Sequence, residues 1–138
     1  MFSYCAPDRS WAEFEAIRAM QESIVADLGL PYRVINVASG DLGNPAAKKY
    51  DLEVWLPSEG KYRELTSCSN YTDYSARRLG TRTRDGDGTQ LVHTLNGTAC
   101  AVGRTLLNIF EHYQHDDGSL TVPPVLQPFA GFDRVAAR

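Results

Sequence analysis

The chain has 138 residues, 43% hydrophobic and 10% aromatic, with 14 Lys and Arg against 17 Asp and Glu for a formal net charge of −3. This apolar content excludes intrinsic disorder, and the mild acidity excludes a whole-domain electrostatic grip on nucleic acid while leaving a local basic patch open. No run reaches the roughly 18 apolar residues of a membrane helix, so no membrane partner is expected, and three cysteines without CxxC spacing suit reduced thiols in a cytoplasmic protein.

The first predicted element is a helix opening at Ser10, where Ser10 and Glu13 form a capping-box pattern. Phe14, Ile17, Met20, Ile24 and Leu28 recur at helical spacing and form its apolar stripe until Gly29 and Pro31 end it. Tyr32 to Val37 is short and β-branched and stops at the turn Ser39 to Gly43. Tyr50, Leu52, Val54 and Leu56 then alternate with Asp51, Glu53 and Trp55, the period of a strand with one face on a core. Pro57-Ser58-Glu59-Gly60 turns the chain into an antiparallel partner over Lys61 to Ser67.

Asn70 or Thr72 is placed to cap a short helix through Ala76 to Leu79, and Asp85-Gly86-Asp87-Gly88 reads as a loop. Gln90 to Leu95 is a further strand, and Asn96-Gly97-Thr98 is read as a turn into a longer helix. In that helix Val102, Leu106, Ile109 and Tyr113 mark the buried stripe, and Asp116-Asp117-Gly118 ends it. The proline-rich run Val122 to Pro128 should be extended over the surface. No internal repeat or low-complexity block interrupts a single domain.

Several simple motifs fail on chemistry. Asp85, Asp87 and Gly88 open like a calcium loop, but its twelfth position is Asn96, which lacks the bidentate carboxylate. His112 and His115 are three apart with no third ligand near in sequence, and Cys68 has no basic partner to lower its pKa. More informative is Tyr62 to Asn70, where Glu64 is followed by Thr66, Ser67, Cys68, Ser69 and Asn70. Polar groups crowded at a strand's end are costly to bury without partners, so the segment reads as a lined cavity or a solvated edge. Asn96 and Thr98, followed by Gly103-Arg104, put a polar segment and a fixed cation at a helix start, where free N–H groups favour anions. Arg104 lies about 200° around that helix from Val102 and so points away from its stripe.

Taken in order and spacing, six blocks resemble one family: Gly40 to Gly43, Ala46 to Trp55, Arg63 to Asn70, Asp73 to Arg78, His93 to Thr98 and Val102 to Thr105. They resemble the C-terminal part of the catalytic domain of bacterial-type seryl-tRNA synthetases, from Met1 to about Gly131. The resemblance implies an α+β fold, the class II aminoacyl-tRNA synthetase antiparallel sheet flanked by helices. It implies ATP and Mg²⁺ as cofactors, with serine, ATP and tRNA(Ser) as partners and a homodimer in the full-length family.

Carried over by position, Glu64 matches the acid that holds Mg²⁺, Ser67 the hydroxyl beside it, and Glu64, Leu65, Thr66 and Ser67 the ATP-contacting stretch. Asn96 and Thr98 match the serine pocket, and Gly103 and Arg104 match the core of class II motif 3, whose arginine packs by the adenine and contacts the γ-phosphate. The catalytic residues implied are Glu64 and Arg104. Because Glu64 and Ser67 are an odd number of residues apart, a regular strand would point them to opposite faces, so a bulge or strand end is expected between them.

The same resemblance places motifs 1 and 2, the upstream serine-binding loop and the tRNA-binding coiled coil outside residues 1–138. The chain then reads as a single partial catalytic domain, about a third of a synthetase, inactive alone and prone to associate through uncovered sheet edges. Two other readings are a non-catalytic nucleotide-binding or protein-interaction module, and transfer of an activated amino acid to a carrier protein. The zinc-dependent branch of the family is not expected, since no Cys/Glu/Cys ligand set is apparent.

Overall fold

Tyr50, Leu52, Val54 and Leu56 lie on one face of the strand that organises the molecule, with the last three buried in the core. In the computed structural model, which describes residues 1–137, this strand β3 (Lys48–Leu56) pairs with β2 (Tyr32–Asn36) on one side and β4 (Lys61–Asn70) on the other. Gly60, at φ 63°, closes the turn between β3 and β4 that its sequence predicts. Beyond β4 come β7 (His93–Gly97) and then β1 (Phe2–Cys5), giving a five-stranded antiparallel sheet in the order β1-β7-β4-β3-β2.

Helices α1 (Ser10–Asp27) and α3 (Val102–Tyr113) cover one face. Val25, Leu28 and Leu30 at the end of α1 pack with Leu52, Val54, Leu65 and Ile109, while Phe14 and Ile17 pack with Cys68 and Leu95. Phe14 stacks on Tyr50 with centroids 4.8 Å apart and planes 9° from parallel. No helix of the described residues is long and apolar enough to cross a membrane.

Several expectations are corrected. Met20 is 47% exposed, and Gln21, 2% exposed, takes its place in the buried stripe of α1. Ser10 does not cap α1. A 3-10 turn at Pro7–Arg9 precedes the helix, the Ser10 hydroxyl donates to the Pro7 carbonyl, and Glu13 accepts from Ser3. Helix α2 (Tyr74–Leu79) is preceded by Asp73 with no side-chain cap, because Asn70 is occupied: its Oδ1 accepts the Thr72 N–H and its Nδ2 donates to the Ser10 carbonyl.

The loop at Asp85 to Gly88 is the tip of a separate hairpin, β5 (Arg82–Asp85) with β6 (Gly88–Leu91). The single strand expected over Gln90 to Leu95 is therefore split between β6 and β7, and Asn96-Gly97 continues β7 instead of turning. β1 was not anticipated; its four residues become a strand only through pairing with β7.

The inward face of α3 is rotated from expectation. Thr105, Asn108 and Ile109 are buried, while Val102 is 66% and Leu106 48% exposed. Asn108 Nδ2 donates to the Arg104 carbonyl within the helix, while its Oδ1 is buried without a hydrogen-bond partner. Val102 and Leu106 instead line an apolar hollow of about 340 Å³ with Ile24, Leu28, Val125 and Leu126. Past β8 (Leu120–Thr121), the proline run turns at Pro124–Leu126 and forms one helical turn, α4 (Gln127–Ala130), before β9 (Arg134–Val135) pairs back on β8. Pro128 sits in the first turn of α4, where a missing N–H costs nothing.

Candidate functional site

The face of the sheet opposite α1 is polar for a reason visible in β3. Its inward residues are apolar, so Lys49, Asp51 and Glu53 necessarily point outward. Cross-strand partners share a face, and the register pairs Asp51 with Ser67 and Glu53 with Glu64. Asp51 and Glu53 are two apart, so their partners Ser67 and Glu64 share that outward face although they are three apart in sequence. The extra residue is accommodated by a bulge, since Leu52 opposes Thr66 and the next pair is already Glu53 with Glu64. The strand thus breaks its alternation at the place the geometry of the two residues requires.

The bulge also decides what Leu65 and Thr66 do. Both are 3% exposed, and the Leu65 side chain packs among Val25, Leu52, Val54 and Ile109. Within the stretch expected to meet a nucleotide, Glu64 to Ser67, these two residues therefore offer their main chain for such a contact.

Asn96 reaches the same face through its pairing with Ser69, itself two residues from Ser67. Gly97 faces α1, where an added Cβ would stand 2.6 Å from Ile17 Cγ2, so Thr98 follows on the outward side. Thr98 is tied directly to β4, its N–H donating to the Ser67 carbonyl at 3.0 Å. Arg104, in the first turn of α3, donates from Nη1 to the Glu64 carbonyl at 3.1 Å, with the same nitrogen 3.9 Å from Glu64 Oε2.

Four of the five polar residues expected to form a site line two separate hollows. Glu64 and Arg104 line one of about 340 Å³ with Arg63, Leu107 and Asn108. Ser67 and Asn96 line another of about 240 Å³ with Lys49, Ser69 and Tyr71. Thr98 lines neither and lies beside the second through its bond to Ser67. The apolar hollow at Val102 and Leu106 contains none of the five.

Two residues of this region were not anticipated. Lys49 lies 2.9 Å from Asp51 Oδ1, and hydrogen bonding to that carboxylate pushes its pKa above the ordinary value, so the amine is a fixed cation in the smaller hollow. The only sequence signal was that Lys49 and Asp51 belong to the outward half of the β3 alternation. Gln21, buried in α1, donates from Nε2 to the carbonyls of Ser67 at 2.8 Å and Thr98 at 2.9 Å. Its signal was a polar residue at stripe spacing, four after Ile17 and four before Val25.

The remaining candidates serve the fold. Burial pushes the Cys68 thiol up to about 11, which leaves it protonated and unreactive at neutral pH. His112 Nε2 donates to the Trp55 carbonyl at 2.8 Å and His115 Nε2 meets Thr121 Oγ1 at 2.7 Å, so each ring is engaged separately. Among the described residues no three His, Cys, Asp or Glu side chains gather as a metal-ligand set.

Comparison with known proteins gives a consistent picture. Residues 1–113 match the family model for the tRNA synthetase class II core domain (G, H, P, S and T). The serine–tRNA ligase of Psychrobacter arcticus is 52% identical over 131 residues, which is 95% of this chain and 31% of that protein. That of Brachyspira hyodysenteriae is 53% identical over 131 residues, with the same coverage. Among solved structures, seryl-tRNA synthetase from Pyrococcus horikoshii complexed with ATP superposes with a TM-score of 0.95 at 45% identity, covering 99% of this chain and 31% of that one. The cytoplasmic serine–tRNA ligase of Naegleria fowleri in complex with AMP gives 0.92 at 43% identity, covering 99% and 33%. The chain thus spans about a third of the length of the relatives it matches.

Proposed function

The chain belongs to the class II tRNA synthetase core-domain family, and from that premise we propose that it is the C-terminal portion of a seryl-tRNA synthetase catalytic domain, binding ATP and serine for seryl-adenylate formation and transfer to tRNA(Ser). The observation that carries this reading is the bulge in β4, which puts Glu64 and Ser67 on the face that also holds Asn96 and Thr98, with Arg104 at its rim. Both solved neighbours named above hold an adenine nucleotide, which favours the same ligand class here.

Each residue has a chemical task in this reading. Arg104 meets the phosphates and offers a planar face to the adenine, a combination Lys does not provide. Asn96 and Thr98 present an amide and a hydroxyl to the small polar serine side chain and its backbone groups. Lys49, fixed by Asp51, adds positive charge beside them.

Glu64 and Ser67 fit Mg²⁺. Both are oxygen donors on one open face, and Mg²⁺ typically takes one or two carboxylates while phosphates and water complete its shell. When bound, that ion neutralises charge on the transferring nucleotide's phosphates. The chain's own contribution is to hold the donors in place, Glu64 by its pairing with Glu53 and Ser67 by the Gln21 and Thr98 contacts to its carbonyl.

Calorimetric titration with Mg·ATP and with a non-hydrolysable seryl-adenylate analogue tests the proposal. One analogue per chain, bound more tightly than ATP, is expected, while pyrophosphate exchange with serine by the isolated chain should stay at background. Absence of binding to either ligand by the folded chain would sink the reading. The relatives found are serine–tRNA ligases, which does not favour the non-catalytic module.

A further inference from the structure

A buried amide in an apolar helix stripe is costly unless both its donors are satisfied, so its retention needs a reason. Gln21 sits between Ile17 and Val25 on the face of α1 that packs the core, where an aliphatic residue would serve burial equally well. Both donors of its Nε2 are used, and both acceptors are main-chain carbonyls of residues on the far face's rim, Ser67 and Thr98.

The ladder between β4 and β7 pairs Asn70 with Leu95, Ser69 with Asn96 and Cys68 with Gly97, and beyond that only the Thr98 N–H to Ser67 carbonyl bond continues it. From there β4 runs into its bulge and the segment after β7 leaves toward α3. Gln21 supplies a donor to the Thr98 carbonyl and a second one to Ser67 at the point where the strands part. Gly97 makes this reach possible: a Cβ there would stand 2.6 Å from Ile17 Cγ2, 3.1 Å from Cys68 Cβ and 3.3 Å from Gln21 Nε2.

We propose that Gln21 is a positioning residue, an amide staple beneath the sheet that fixes Ser67 relative to Thr98 and so sets the spacing between the nucleotide-binding and serine-binding halves of the site. It touches no ligand. The inference rests on the function proposed above and makes a demand that a merely structural role does not. A ligand that spans both halves depends on the staple, whereas metal-free ATP held at Arg104, which makes no use of Ser67 as a Mg²⁺ donor, does not.

The test is a pair of dissociation constants measured by calorimetry on wild type and on Gln21→Met, which keeps length and loses both donors. Tenfold or greater weakening for the non-hydrolysable seryl-adenylate analogue is expected, with less than threefold for ATP without Mg²⁺. Equal losses for both ligands, or none for the analogue, would overturn the positioning role while leaving the functional reading intact. Wild-type chain that binds neither ligand overturns both. Gln21→Asn, which keeps the donors one methylene short of the carbonyls, carries the same comparison if Gln21→Met fails to give a native circular dichroism spectrum.

Discussion

Arg104 is anchored to the backbone of Glu64, donating to its carbonyl at 3.1 Å, and not to its carboxylate, which lies 3.9 Å away. The guanidinium is therefore oriented by a main-chain acceptor, with the carboxylate adding a longer-range ion-pair attraction while its oxygens stay open to a cation. In the proposed function the two groups act on different parts of a nucleotide complex. Glu64→Gln is expected to leave metal-free ATP binding within about twofold and to abolish the gain in affinity on adding Mg²⁺; titrations with and without the ion check this. Arg104→Ala should weaken both by tenfold or more, about 1.4 kcal/mol.

Gly97→Ala puts a methyl group 2.6 Å from Ile17 Cγ2, a β-branched carbon with little freedom to retreat. Overpacking of this kind costs about 1–3 kcal/mol. Ile17→Ala removes the obstructing methyl, so the double variant should be less destabilised than the sum of the single ones, as read from urea denaturation midpoints.

Phe14 and Met20 were equal members of a stripe in the sequence and are unequal in the fold. Phe14 is fully buried and stacked on Tyr50, whereas Met20 faces solvent. Phe14→Ala should cost about 3–5 kcal/mol, and Met20→Ala about 0.5 kcal/mol or less. Comparable losses in the two variants would show that the burial of Phe14 and the exposure of Met20 described above are incorrect.

The Arg18 guanidinium hydrogen-bonds Glu15 and holds its carboxyl below the ordinary value of 4.5. A depressed carboxyl pKa contributes stability that is complete above the unfolded value and lost as pH falls through the folded one. Arg18→Gln should therefore destabilise the chain at pH 7 and have progressively less effect below about pH 4.5. Solvent screening keeps the loss to about 0.5 kcal/mol, measurable by urea titration at pH 7 and pH 3.

Much of the sheet was legible because β3 alternates strictly and its turn into β4 carries Gly60 at a positive φ. The bulge was legible from a conflict, two residues of one expected site an odd number apart in a strand. What escaped was decided by partners distant in sequence. β1 is a strand because β7 lies beside it, and the buried face of α3 is set by the core at Ile109 and not by the count of apolar residues around the helix. Leu65 was read by its neighbours in a motif, whereas the bulge turned it into the core. Gln21 was hidden by treating polarity in a stripe as an interruption.

Everything above depends on the ligand lying across the polar face of the sheet. Backbone amide shifts of the 138-residue chain titrated with Mg·ATP and then with the seryl-adenylate analogue locate it directly. The account predicts that ATP perturbs Glu64 to Ser67 and Gly103 to Arg104, and that the analogue adds Lys49 and Asn96 to Thr98. Perturbations centred instead on Ile24, Leu28, Val102 and Leu106, in the apolar hollow on the opposite side, would contradict it.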